Sequence, residues 1–291
     1  MSLPPFRLHR PRTVEEATEL LLELESNAAP YCGGTELLLV AKLGLTEFTD
    51  LVDLKRIDEL AGIEANGELR IGASATHQQV LRSPAVRDGW PSLVAMERDV
   101  ANIRVRNVGT IGGNLCFADP HSDPLTYLIA AGGEVTVRGG GRSARRLGVE
   151  RFVEGPYATA LERGELLTAV HVPPIAAGSA LAHRKMSFQE RPAITVAVSI
   201  SVADGAVERA RVAIGSVGPV ARRLTGVEEL LIGLDALAPS EEQLAACAEA
   251  AGREAEPVAD ANGSVQYKRQ LARVLVVRCA RDAMAQATSG L

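Results

Sequence analysis

Two short segments carry a pattern whose chemistry depends on residue type and spacing: YCGGTEL at 31–37 and GTIGGNL at 109–115. Each runs from a hydrophobic approach into Gly-Gly, then a polar residue and a leucine. A glycine pair lets successive backbone N–H groups turn toward one point and lets a bulky anion come close, because no Cβ intervenes. Diphosphates are held this way, by aligned N–H donors. Thr35, Thr110 and Asn114 add side-chain donors beside the glycines. A single Gly-Gly next to a strand also serves as a plain turn, but two similar elbows in one chain point to a shared ligand. Neither segment is the G-x-G-x-x-G of a Rossmann turn or the G-x-x-x-x-G-K-[ST] of a P-loop, which argues against kinase or GTPase chemistry.

Two acids follow the second elbow, Asp119 and Asp123, in NVGTIGGNLCFADPHSDP. A carboxylate near a diphosphate is repulsive unless it faces a sugar, where it accepts from ribose hydroxyls. Asp123 has a second reading, as a cap of the helix that opens at Pro124. Asp119 and His121 read as turn residues. His77, His121, His171 and His183 are scattered along the chain and read as structural or exposed, so no general base is nominated. Four cysteines (Cys32, Cys116, Cys247 and Cys279) stand far apart, without the C-x-x-C or C-x4-C-x2-C spacing that gathers thiolates around zinc or iron–sulfur clusters. They read as reduced, mostly buried thiols, and the chain as carrying no metal of its own.

The elements that must position these residues follow from periodicity and punctuation. TVEEATELLLEL has Thr13 and Glu16 in capping-box spacing and an apolar face, so it predicts an amphipathic helix. A helix is expected to begin near Thr35 after the first elbow, and FTDLVDL reads as a buried strand. In IEANGELRIGAS, Asn66-Gly67 predicts a hairpin with a type I′ turn. THQQVLRS reads as a short helix capped by Thr76, DPLTYLIAAGG as a helix, and EVTVRG and ELLTAVHVP as strands. PPIAAGSA, at 173–180, marks a domain boundary. Beyond it a long hairpin turns at Asp204-Gly205, a helix opens with Ser240 and Gln243 in capping-box positions, and a long helix runs from Val265 to about Thr288. The organisation is α+β.

Composition limits the function classes. The chain has 291 residues, 46% of them hydrophobic and 23% charged, with a net charge of −5, which suits an ordinary water-soluble protein with a sizeable core. The densest basic run, Arg142 to Arg146, is short and interrupted, which argues against nucleic acid as a partner. No stretch approaches a membrane span, and MSLPPFRLHRP lacks a signal-type apolar segment, so a cytoplasmic location is expected.

Across nearly the whole chain the sequence resembles a known family. CGGTELLLVAKLG and NVGTIGGNLCFADPHSDP are similar to the FAD-binding (medium) subunit of molybdenum hydroxylases of the xanthine dehydrogenase and carbon monoxide dehydrogenase type. LRIGASATHQQVLRSPAV, GELLTAVHVP, HRKMS and YKRQLARVLVVRCARDA follow in the family's order. The resemblance implies a two-part FAD-binding domain of the vanillyl-alcohol-oxidase (PCMH) type over 1–176, its parts at about 1–57 and 58–176. A smaller α+β domain of the CO dehydrogenase flavoprotein type would follow over 179–291. It implies one non-covalent FAD, with the diphosphate gripped by Tyr31, Cys32, Gly33, Gly34, Thr35 and Glu36 and by Thr110, Ile111, Gly112, Gly113 and Asn114. Asp123 would hold the adenosine ribose, and Leu167 and Lys185 would line the far part of the site. Lys185 equally reads as a solvated strand lysine.

Two positions depart from the family. Where some relatives carry an aromatic that lies beside the flavin ring, this chain has Val100, and FQERPAI replaces an arginine-rich stretch after the lysine motif. By the same resemblance, this chain is an electron-transfer subunit. A large subunit would carry the molybdopterin cofactor and a small subunit the [2Fe-2S] clusters, the whole being a dimer of heterotrimers. The flavin would pass electrons to an external acceptor. The alternative is a stand-alone FAD-dependent oxidoreductase of the same superfold, similar to the peptidoglycan-precursor enolpyruvyl reductases.

Overall fold

The DLVD segment Asp50–Asp53 is buried at all four positions and forms the middle strand of a three-stranded parallel sheet, between Arg7–His9 and Ala28–Tyr31. Burial on both faces is what a near-continuous apolar parallel strand requires. The helix Val14–Glu23 covers this sheet, with Val14, Ala17 and Leu21 in a core that includes Val52, Leu54, Ile57 and Leu60. Thr13 caps the helix as expected, its hydroxyl accepting from the Glu16 N–H at 3.1 Å. The reciprocal half of the box goes elsewhere, because Glu16 Oε2 accepts from the Arg12 N–H at 2.7 Å. The structure, a computed structural model, describes residues 3–139, 141–188 and 191–289; Gln189 and Glu190 of the FQERPAI stretch fall outside them.

A second sheet is antiparallel and five-stranded, in the order Ile63–Asn66, Glu68–Gly72, Glu165–Val172, Glu134–Gly139, Arg142–Gly148. Its first hairpin differs from the sequence reading. Asn66 pairs directly with Glu68, and only Gly67 has a positive φ (+78°). A type I′ turn needs positive φ at both central residues, so a tighter reversal at Gly67 replaces it. The central strand Glu165–Val172 is buried throughout, which places ELLTAVHV at the heart of the sheet. Short helices pack against this sheet in a core that includes Leu69, Ile71, Trp90, Leu93, Ile111, Tyr127 and Phe152.

The third sheet runs Ser179–Ser187, Pro192–Ala203, Ala206–Gly215, Arg222–Arg223, all antiparallel. Its long hairpin turns where the sequence indicates: Ala203 pairs with Ala206, and Asp204 and Gly205 both have positive φ (51° and 78°). One face packs under the helices Glu241–Glu254 and Val265–Thr288, in a core that includes Ile194, Val196, Val198, Leu244 and Val276. The other face contributes Leu181, Ala197 and Ala213 to the core around the five-stranded sheet. The Thr126 and Thr195 hydroxyls meet at 2.8 Å in that seam. Ser240 starts the Glu241–Glu254 helix without a side-chain cap bond, so the expected capping box is absent. Among the described residues no helix is long and apolar enough to cross a membrane.

Candidate functional site

Both glycine elbows face one cavity of about 480 Å³. Its wall includes Cys32, Gly33, Gly34, Thr35 and Glu36 from the first elbow and Thr110, Gly112, Gly113 and Asn114 from the second, with Val100, Asp123 and Leu167. Tyr31, Ile111 and Lys185 stand outside the wall. Lys55 Nζ lies over the Tyr31 ring, 3.8 Å from its centroid. Ile111 is a core residue. Lys185 stands behind Asp123, its ammonium 2.8 Å from Asp123 Oδ2 and 2.5 Å from the Asp99 carbonyl oxygen.

The glycines have different duties. A Cβ on Gly33 would collide with the Val108 carbonyl oxygen, so this glycine lets the two elbows touch. A Cβ on Gly112 would lie 2.7 Å from both Ala73 Cβ and its carbonyl oxygen, so Gly112 packs the second elbow onto the five-stranded sheet. Gly113 is open on its cavity side, a Cβ there meeting only Thr110 Oγ1 at 2.8 Å.

The elbows also differ in what their backbones offer. The second is the first turn of the helix Ile111–Phe117, and its N–H groups are engaged within the protein. Ile111 donates to Ala75 O (3.0 Å), Gly112 to Ala73 O (3.1 Å), Gly113 to Thr110 Oγ1 (3.1 Å) and Asn114 to Thr110 O (2.9 Å). The expectation of two convergent sets of free donors is therefore corrected: two acceptors are supplied by Ala73 and Ala75, just past the strand Glu68–Gly72, and two by the N-cap Thr110. In the first elbow the N–H groups of Gly34, Thr35 and Glu36 have no acceptor among the described residues. Burial raises the Cys32 thiol pKa above its ordinary value, with the nearby Thr110 side chain pulling the other way. Asn114 Oδ1 accepts from the Ser122 hydroxyl at 2.6 Å, which leaves its amide nitrogen to face the cavity.

Ser122 is the N-cap of the helix Asp123–Ala131, its hydroxyl accepting from the Leu125 N–H at 3.1 Å. That removes the capping reading of Asp123. The Asp123 carboxyl is buried, one oxygen held by Lys185, the other, Oδ1, without a protein partner. An orphaned buried acceptor costs stability unless a donor meets it. Burial pushes the Asp123 pKa up to about 6, against the pull of Lys185. A ligand hydroxyl donating to Oδ1 satisfies it, so this residue fits a ribose.

Val100 is 5% exposed and forms part of the wall beside Ala101, a non-glycine residue with φ +41°. Arg106 Nη1 holds this corner by donating to Val100 O (2.8 Å) and Ala101 O (3.2 Å). Backbone in that region persists only where the surroundings impose it, and it clusters at ligand sites.

Sequence reasoning missed several wall residues. Arg191, within the FQERPAI stretch, pairs with Asp119 at 2.8 Å and Glu36 at 3.7 Å, which puts a guanidinium at the cavity although the arginine-rich run is absent. Asp119 also accepts from the His121 N–H at 2.8 Å, as a turn residue does, yet both residues line the cavity. His77 is buried in the wall against Glu97. The signal that could have found them is adjacency to motif residues, Asp119 and His121 within the second motif and His77 after Thr76, whose β-bridge partner is Thr110.

Residues 4–175 match the family described as the FAD binding domain in molybdopterin dehydrogenase, and residues 181–283 match the CO dehydrogenase flavoprotein C-terminal domain. The chain belongs to the molybdopterin-dehydrogenase FAD-binding family. The carbon monoxide dehydrogenase medium chain of Hydrogenophaga pseudoflava is 33% identical, over 97% of this chain and 98% of that one. The nicotine 6-hydroxylase medium subunit of Paenarthrobacter nicotinovorans is 30% identical, over 98% of this chain and all of that one (100%). In three dimensions the fold matches a chain of carbon monoxide dehydrogenase from Hydrogenophaga pseudoflava lacking the Mo-pyranopterin moiety of its cofactor. That match has a TM-score of 0.93 at 33% identity and covers 98% of this chain and 99% of the other. Family membership thus assigns an FAD-binding domain to the part of the chain that holds both elbows.

Proposed function

We propose that this chain is the electron-transfer flavoprotein subunit of a molybdenum-containing hydroxylase, with one FAD held non-covalently in the cavity between the elbows. The observation that carries the reading is the cavity itself: free N–H groups at Gly34, Thr35 and Glu36, the Asn114 amide, and an unpartnered Asp123 Oδ1 share one wall. The first group suits a diphosphate and the last a ribose. Bound FAD supplies a ring that takes up and releases electrons singly or in pairs. The chain's residues bind and orient it. Gly33 and Gly112 fix the elbows, Lys185 fixes Asp123, and Arg106 fixes the Val100–Ala101 corner. Leu167 and Val100 supply apolar wall for the ring.

In this reading electrons arrive from the [2Fe-2S] clusters of a small subunit, after substrate oxidation on a large molybdenum-cofactor subunit, and leave to an external acceptor in the cytoplasm. The chain divides near 177, into a two-part FAD domain and a smaller C-terminal domain. Acid release of the cofactor followed by chromatography should yield FAD. Release of FMN, or a colourless protein that FAD cannot reconstitute, would refute the cofactor assignment. Co-purification should bring down a molybdenum-containing and an iron–sulfur polypeptide; turnover of a hydroxylase substrate by the partner-free, metal-free chain would instead mark a stand-alone oxidoreductase.

A further inference from the structure

His77 sits where the two elbows meet. It is the first residue of the helix His77–Arg82, 2% exposed, and its backbone N–H donates to Gly109 O at 3.1 Å, tying it to the approach of the second elbow. A Cβ placed on Gly109 would lie 3.4 Å from His77 Cδ2 and 3.5 Å from Thr35 Oγ1, so the Cδ2–Nε2 edge of the ring borders the seam between the elbows. The other edge is fixed: Nδ1 is 2.9 Å from Oε2 of Glu97, which is fully buried. Nε2 has no partner among the described residues and is not sealed in the core, and His77 forms part of the cavity wall.

The other charges around the cavity are already engaged. Arg191 is taken up by Asp119 and Glu36, Asp123 by Lys185, and Glu165 by Arg145. With the second elbow's N–H groups spent inside the fold, a dianionic diphosphate needs a further donor. We propose that His77 is a cofactor-positioning residue: Glu97 holds its ring by Nδ1, and its protonated Nε2–H donates to a phosphate oxygen of the bound dinucleotide at the seam of the elbows. The proposal rests on the FAD reading given above.

The Glu97 contact gives the histidine a sign. With a carboxylate at Nδ1, that nitrogen keeps its proton; loss of the second proton converts Nε2 from a donor to a lone pair that repels phosphate. Burial opposes the charged ring, but the Glu97 carboxylate outweighs it and, with Asp123, holds His77 above the ordinary histidine range, while Arg106 pulls the other way. FAD affinity should therefore be high near neutral pH and fall as the pH rises through the histidine's raised pKa. Cys32, the nearby thiol, has its own pKa raised by burial and stays neutral over most of that window.

The test uses the full chain stripped of flavin, titrated with FAD, ADP and adenosine at pH 7 and pH 9. Wild type should lose roughly tenfold in FAD and ADP affinity over that range, the amount expected for one charge-assisted hydrogen bond. His77→Gln, whose amide donates without titrating, should bind both about tenfold more weakly than wild type at pH 7, show no further loss at pH 9, and bind adenosine normally. In 31P spectra of bound FAD, one diphosphate resonance should titrate in wild type and not in His77→Gln. Should His77→Gln fail to fold, Glu97→Gln supplies the second arm: the fall in FAD affinity should move to lower pH. Wild-type affinity for FAD independent of pH, or a His77→Gln chain that loses adenosine as much as ADP, would overturn the assignment. A wild-type chain that binds no FAD at all would instead strike down the functional reading beneath it.

Discussion

A carboxyl group that is buried, half-paired and held at a pKa of about 6 should leave a mark on both stability and binding, and Asp123 is such a group. Its folded pKa lies above the value near 3.9 of an unfolded chain. A raised acid contributes stability that is fully present below the unfolded pKa and is lost as the pH rises through the folded one. Apo-protein should therefore weaken between about pH 4 and pH 7, by on the order of 3 kcal/mol from this group. Asp123→Asn should flatten that slope, as read from urea unfolding at both ends of the window. Asparagine is the informative change, because alanine would also strand the Lys185 ammonium. The ligand prediction has the opposite sign. Ribose hydroxyls donate to the ionised form, so wild-type FAD affinity should rise from pH 5 to pH 7 while that of Asp123→Asn stays level and about tenfold lower at pH 7. Parallel pH profiles in the two proteins would withdraw the ribose contact. Sequence spacing led to Asp123 as a candidate but left its capping alternative open, because one residue decides which side chain meets the helix N-terminus. Ser122 holds that position.

At the scale of elements, the two Gly-Gly pairs look alike in sequence and behave differently in the fold. What separates them lies outside the motif: Ala73, just past the strand Glu68–Gly72, is what Gly112 touches, and Val108 is what Gly33 touches. No reading of local sequence supplies such contacts. Local punctuation was legible at some sites, although the Ser240 box is absent and Glu16 closes only onto Arg12. Thr76 and Gln79 form the capping box that THQQ announces, and Asp204-Gly205 makes the turn its residues favour. Asn66-Gly67 failed as a type I′ turn because strand register there was set by pairing with the buried Glu68–Gly72 strand and not by the dipeptide. The difference between the glycines is testable. Gly112→Ala forces a methyl against Ala73 backbone and should destabilise the apo-fold by about 1–3 kcal/mol, as overpacking does. Gly113→Ala faces the cavity, and the gain in helix propensity of about 1 kcal/mol offsets disturbance of the Thr110 cap. Its apo-protein should melt near wild type while FAD affinity falls. Equal melting temperatures for the two variants would remove the distinction between a packing glycine and a cavity glycine.

Over the whole molecule, the cavity is joined to the C-terminal layer by a chain of charges that no motif announces. His121 lies in the wall; its Nε2 is 3.4 Å from Asp260 Oδ2, and Asp260 holds the ammonium of Lys268 at 2.6 Å. Lys268 is completely buried in the long helix Val265–Thr288 and also donates to Ser216 O at 3.1 Å. The two partners are not equivalent. The Lys268 side chain is 1% exposed, whereas that of Asp260 is 32% exposed and can be rehydrated. Removing the acid leaves an uncompensated ammonium in the core; removing the lysine leaves an acid that water can reach. Asp260→Ala should therefore cost more stability than Lys268→Met, the former toward the roughly 3–5 kcal/mol of a broken buried pair and the latter about 1 kcal/mol. Since Asp260 also supports His121, Asp260→Ala should loosen FAD while Lys268→Met leaves it nearly unchanged. Denaturant midpoints and FAD titrations on both variants give the comparison. If Lys268→Met proved the more damaging, the ammonium would be stabilised by the Ser216 carbonyl and its surroundings, and the tie between the long helix and the cavity would carry little energy.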